Sequence, residues 1–141
     1  MLGAYTSSKF AVEALADAWR MELRPWGISV SLIEPGSIDT DLWRTAPQQQ
    51  ELAEAEMSER HRDLYAKHLS GVRRLIPRVQ KMAKPAEGVA AAIERALTDP
   101  KPKARYLVGT DARAQAALAA LVPQRLMDTI VARGAGTPLK L

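Results

Sequence analysis

Cysteine is absent from the 141 residues. That excludes disulfides and thiolate catalysis, and makes a reducing, cytoplasmic location the simplest expectation. No stretch approaches the ~20 consecutive apolar residues of a membrane-spanning helix, and the first residues lack a signal-peptide pattern. No membrane span is therefore expected in this chain. Charge of one sign is only slightly in excess, at +4. The basic residues are dispersed, Arg73-Arg74 lies close to Glu51, Glu54, Glu56 and Glu59, and no aromatic residues are interleaved, so nucleic acid is not an expected partner. Metal-ligand spacing is also missing. His61 and His68 are seven apart on one helical face without further ligands at matching spacing, and they read as solvated helix residues with no metal.

What is present is enough apolar material, 47% of residues, for one globular domain. It also includes a notable pair at the front of the chain. Tyr5 and Lys9 stand four residues apart, just over one helical turn, so both project from one face and can act on one substrate. A free phenol titrates near about 10. A cation within a few ångströms favours the phenolate and brings such a group closer to use as a general acid or base. The same spacing also fits a solvated lysine beside a partly buried ring, so the context decides.

From Lys9 to Arg24 no Gly or Pro interrupts the chain. Val12, Leu15, Trp19 and Leu23 recur at helical spacing as an apolar stripe, with Ala11, Ala14 and Ala18 beside them. Pro25 ends this helix and Gly27 opens a turn. Residues 28–33 read as a short buried strand stopped by Glu34-Pro35-Gly36, and 104–109 as a second. A Pro-Gly turn just past a strand is well placed to bring backbone close to a ligand. Further helices are expected over 85–98, from Pro85 with Glu87 in the first turn and Val89, Ala92, Ile93 and Leu97 as its buried side, over 114–122, and over 125–133.

These residues resemble the short-chain dehydrogenase/reductase family. Its active-site helix begins Y-x-x-x-K and continues S-K-x-A-[VL]-x-x-[LF], here Tyr5 and then Ser8 to Leu15; its next strand ends P-G-x-[IV]-x-T, here Pro35, Gly36, Ile38 and Thr40. The wording of 85–110 resembles members related to retinol and hydroxysteroid dehydrogenases. The resemblance implies an α/β fold, the C-terminal part of a Rossmann-like doubly wound parallel sheet, with two strands and about five helices. It implies an NAD(P)-dependent oxidoreductase that interconverts an alcohol and a carbonyl, with NAD and NADP not distinguishable. In that role Tyr5 would exchange a proton with the substrate oxygen. Lys9 would favour the phenolate and hydrogen-bond the nicotinamide ribose. Pro35, Gly36 and Ile38 would line the nicotinamide site, and Thr40 would lie near the amide or the pyrophosphate.

The departures set a second expectation. The family's glycine-rich phosphate turn, its Asn motif and its catalytic serine are not found, and Gly134-Ala135-Gly136 follows no strand. Without the glycine turn no helix N-terminus is offered to a pyrophosphate. The chain then reads as the C-terminal half of one such domain: 1–40 the active-site helix, strand and Pro-Gly motif; 41–84 a substrate lid; 85–133 the last helix-strand-helix region; 134–141 a loose tail. The alternative function is a truncated, inactive fragment acting at most as an association module, with a homo-oligomer formed through the 5–24 helix.

Within 41–84, a polar connector from Thr45 to Gln50 is expected to lead into a helical pattern with Leu52, Met57, Leu64, Tyr65, Leu69, Val72, Leu75 and Ile76 on one side. By the resemblance this insertion is a mobile lid, of the kind that excludes water. Trp43, Met57, Leu64 and Leu69 in it would suit an apolar alcohol or ketone. Packing of the same residues onto the domain is the plainer alternative.

Overall fold

A computed structural model describes residues 3–136. Its elements run in the order α1 (Gly3–Glu22), β1 (Leu32–Pro35), α2 (Asp41–Ala55), α3 (Glu59–Met82), α4 (Glu87–Thr98), β2 (Arg105–Val108), α5 (Thr110–Leu121) and α6 (Gln124–Gly134). The two strands pair in parallel, Leu32 opposite Arg105 through Pro35 opposite Val108. This is the expected α/β fragment, with one helix more than the pattern suggested. The chain forms two compact units: the segment ending at Pro35 with Glu87–Val108, and Gly36–Ala86 with Gly109 onwards.

In the first unit α1 ends at Glu22, one short 3₁₀ turn (Arg24–Trp26) follows, and Gly27 closes it at φ 69° with its N–H on the Arg24 carbonyl. The strand after it begins later than expected, at Leu32 rather than Ile28. A strand exists only where a partner supplies hydrogen bonds, and here the partner β2 starts at Arg105. The Leu32 N–H reaches the Ala104 carbonyl at 2.9 Å and the Ser31 hydroxyl reaches the Lys103 carbonyl at 2.8 Å, so residues 28–30 precede the ladder. Pro35 is accommodated because it is the last residue of β1.

The apolar stripe of α1 does not form the buried face. Val12, Leu15 and Trp19 are 51%, 47% and 47% exposed, whereas Ala16 is 7% exposed. The reason lies on β2, where Arg105 bonds Glu13 at 3.1 Å, Glu34 at 2.8 Å and Asp17 at 3.5 Å. Glu13, Ala16 and Asp17 are spaced as one helix face, and the small Ala16 between two carboxylates lets the helix approach a strand that carries a guanidinium. Arg20 extends the same face, donating to the Val30 carbonyl at 3.2 Å. α4 contributes Ala92, which is 1% exposed, but Ile93 and Leu97 are exposed and correct the expected buried side. The core is thin because alanines fill it, together with the Tyr106 ring, whose hydroxyl accepts from the Lys103 N–H at 3.0 Å.

In the second unit the expected connector from Thr45 to Gln50 is helical, as part of α2. Asp41 in the first turn suits the positive end of the helix dipole. Pro47 lacks the N–H that would bond the carbonyl of Trp43. That carbonyl accepts instead from the Gln80 side-chain amide of α3 at 2.5 Å, so the helix passes through its proline without leaving an orphaned acceptor. Ser58 caps α3 by accepting from the His61 N–H at 3.3 Å. Leu69 and Ile76 form the buried side of α3, at 4% and 5% exposed. Glu54 of α2 is buried with them. It pairs with Arg73 and accepts from Gln50 at 2.7 Å, which satisfies a charge that would otherwise be costly to bury. α5 starts four residues earlier than expected, at Thr110, for a reason that belongs to the site.

Candidate active site

Tyr5 and Lys9 lie on the first two turns of α1, a segment without Gly or Pro after Gly3. Their spacing brings them together as expected, with the Lys9 ammonium 5.4 Å from the Tyr5 ring centroid. The ammonium sits over the ring, within the range of a cation–π contact. Tyr5 is 55% exposed and Lys9 is exposed. Among the described residues no side-chain hydrogen bond or ion pair engages the Tyr5 hydroxyl or the Lys9 ammonium, so both are open to a ligand. The Ser8 hydroxyl is spent locally, donating to the Tyr5 carbonyl at 2.7 Å. A cavity of about 550 Å³ elsewhere in this unit, lined by Arg20, Met21, Ile28 and Val30 among others, includes none of the candidate catalytic, cofactor or lid residues.

The turn after β1 is built in the second unit. Ile38 forms an isolated parallel bridge with Lys84: the Lys84 N–H donates to the Ser37 carbonyl at 2.9 Å and the Asp39 N–H to the Lys84 carbonyl at 2.8 Å. Both bonds use residues flanking Ile38, so Ile38's own N–H and carbonyl stand outside the bridge. Thr40 occupies the N-cap position of α2, yet its hydroxyl makes no capping bond, which leaves it available to a ligand.

A residue not foreseen from the sequence completes this turn. Asp111, on the first turn of α5, accepts from the Ser37 N–H at 2.7 Å. A Cβ on Gly36 would fall on the Asp111 carboxylate. Gly109, at φ 107°, also faces that carboxylate and takes a backbone conformation closed to most L-residues. The signal was Gly109-Thr110-Asp111, a glycine after a strand and then an acid where a helix dipole favours one. That combination also explains the early start of α5.

The Ser37 N–H holds the Asp111 carboxyl below the usual aspartate range, opposed by burial and helped by the Lys84 ammonium. A lowered folded-state value means that its stabilisation is present above the ordinary value of about 3.9 and is lost as pH falls through the folded one. The Arg20 partner lowers Asp17 in the other unit in the same direction. Urea unfolding at pH 7, 4 and 3 should show stability falling below about pH 4, and Asp111→Asn should lose less over that range than the wild type. Equal losses in the two proteins would exclude Asp111 as a source.

The lid residues divide. Trp43 and Met57 are half-buried, Leu64 is 56% exposed, and Leu69 is core. Among the described residues no group of His, Cys, Asp or Glu could hold a metal ion, and no helix is long and apolar enough to cross a membrane. His68 lies beside the Tyr65 ring, 5.6 Å between centroids. The tail beyond residue 136 lies outside the described residues. Within the first unit the Lys9 donors and the Tyr5 phenol are exposed side by side, and within the second the Ile38 backbone and the Thr40 hydroxyl are unspent. A glycine-rich cradle for the phosphates of a dinucleotide is missing from the sequence, and the open side of Gly36 is filled by Asp111.

Residues 1–51 match the short chain dehydrogenase family. The chain is 37% identical over 131 residues to an NADPH-dependent 3-dehydrocapnine reductase of Ornithobacterium rhinotracheale, covering 92% of this chain and 44% of that protein. It is 30% identical over 144 residues to retinol dehydrogenase 5 of Mus musculus, covering 92% of this chain and 42% of that protein. To mouse 17-beta-hydroxysteroid dehydrogenase type 6 it is 28% identical over 149 residues, covering 96% of this chain and 44% of that protein. The chain thus spans less than half the length of these relatives.

Proposed function

Because the chain belongs to the short-chain dehydrogenase/reductase family, we propose that it carries the proton-transfer part of an NAD(P)-dependent oxidoreductase acting on an apolar alcohol or its carbonyl. The nicotinamide, when bound, takes or gives the hydride. In the oxidising direction the substrate hydroxyl loses its proton to Tyr5 Oη as the carbonyl forms; in the reducing direction Tyr5 Oη returns it. Lys9 donates to the ribose hydroxyls. Pro35, Gly36 and Ile38 line the nicotinamide, with the Ile38 main chain on the carboxamide, and Thr40 adds a hydroxyl near the amide or the pyrophosphate. Trp43, Met57 and Leu64 supply apolar contacts from the lid, and Leu69 holds the lid helix. An apolar substrate also accords with relatives named for retinol and hydroxysteroids.

The observation that carries this reading is the Tyr5–Lys9 pair, an ammonium 5.4 Å from a phenol ring with both side chains exposed on one helix face. Titration of the purified chain with NADH and with NADPH, followed by nicotinamide fluorescence, is expected to show saturable binding of at least one. Absence of binding of either at millimolar levels would sink the reading for this chain.

The exposure of Val12, Leu15 and Trp19 favours a second reading, an association module that buries the α1 stripe between copies. Sedimentation across micromolar to hundred-micromolar concentrations should then show a concentration-dependent dimer that Trp19→Asp abolishes. A wild-type monomer throughout would exclude it.

A further inference from the structure

Asp111 has a geometry that the proton-transfer chemistry does not account for. Its carboxylate lies where side chains at Gly36 and Gly109 would be. One oxygen, Oδ2, accepts from the Ser37 N–H at 2.7 Å, while Oδ1 is buried with no hydrogen-bond partner among the described residues. An unsatisfied buried carboxylate oxygen costs stability, which offsets part of what the Ser37 bond contributes. Lys84 also bonds the backbone of Ser37 and Asp39, and its ammonium donates to the hydroxyl of Thr110, the residue before Asp111, at 3.0 Å. The turn is thereby held twice, by a backbone bridge and by a carboxylate.

We propose that Asp111 is the positioning residue of the Pro-Gly turn: its carboxylate fixes the backbone of residues 36–40 and so sets how Ile38 and Thr40 meet a nicotinamide dinucleotide. Gly36 has no side chain because Asp111 occupies that space, which differs from a glycine kept open for direct approach of a ligand. The part of this inference that concerns the dinucleotide rests on the function proposed above, whereas the hold on the turn does not.

The test is amide exchange by NMR on the ¹⁵N-labelled full chain, comparing the Ser37 amide with that of Ile76 in the core of α3. Asp111→Ala removes the acceptor and should speed Ser37 exchange by about tenfold or more beyond any change at Ile76. Asp111→Asn keeps a neutral acceptor of the same shape and should fall between, because a charged acceptor makes the stronger bond. Gly36→Ala should reproduce the alanine result by displacing the carboxylate. Equal acceleration at Ser37 and Ile76 in these variants would mean a purely structural role and overturn the proposal; should Asp111→Ala not fold, Asp111→Asn and Gly36→Ala decide it.

NADH and NADPH titrations of the same proteins test the second half. Asp111→Ala is expected to weaken dinucleotide binding about tenfold or more, with Asp111→Asn intermediate. A freed Ser37 amide with unchanged affinity would overturn the link to the ligand. If the wild type binds neither dinucleotide, the oxidoreductase reading and this link fail together, and the exchange data still decide whether Asp111 holds the turn.

Discussion

Tyr5→Phe is expected to lower turnover by about 10²- to 10⁴-fold, the usual contribution of a positioned general acid or base, while leaving the fold intact. The substitution removes one oxygen from a ring that is 55% exposed, and among the described residues its hydroxyl has no protein partner to lose. The free energy of unfolding should therefore change by no more than about 0.5 kcal/mol. The measurement is kcat with NAD(P) and an apolar alcohol, beside a urea midpoint. Retention of wild-type turnover would remove Tyr5 from the chemistry, and a matching loss of stability would make any drop in rate uninformative. Lys9 enters the same experiment through the cation–π contact. A phenylalanine keeps the ring under the ammonium, so the comparison isolates the hydroxyl.

Leu69→Ala is expected to lower the unfolding free energy by about 2–5 kcal/mol, whereas Leu64→Ala should stay within about 0.5 kcal/mol. The two leucines lie five residues apart on α3, yet one is 4% exposed and the other 56%. Deleting Leu69 leaves a void on the buried side of α3, in a unit whose few buried residues offer little material to refill it. Thermal or urea unfolding separates the cases. A neutral Leu69→Ala would place that residue in a mobile lid after all, and a costly Leu64→Ala would imply a covering surface for α3.

Local pattern carried much of what was legible in the sequence. A helix after Tyr5 follows from its uninterrupted Ala-rich run, and its end from Pro25 and Gly27, because both act within a few residues of themselves. The Tyr5–Lys9 proximity is likewise a consequence of short-range geometry, whereas the parallel pairing of β1 with β2 was expected from the family resemblance. Periodicity misplaced the buried face of α1, since it counts apolar residues and cannot see that Arg105, 92 and 88 positions away, is paired with Glu13 and Asp17. The Thr45–Gln50 connector proved helical for a similar reason: Pro47 fits inside α2 because Gln80, distant in the chain, supplies the donor that the Trp43 carbonyl lacks.

The sequence by itself determined the family, the identity of the acid/base candidate and the location of the Pro-Gly turn, because each rests on residue type and spacing along one element. Only the tertiary structure decided which apolar residues are core, which carboxylates are paired and what Gly36 is for. Those outcomes depend on contacts between Asp111 and Ser37, Glu54 and Arg73, or Arg105 and α1. Such contacts form between groups distant in the chain, where one charge or one missing side chain outweighs a local periodic preference.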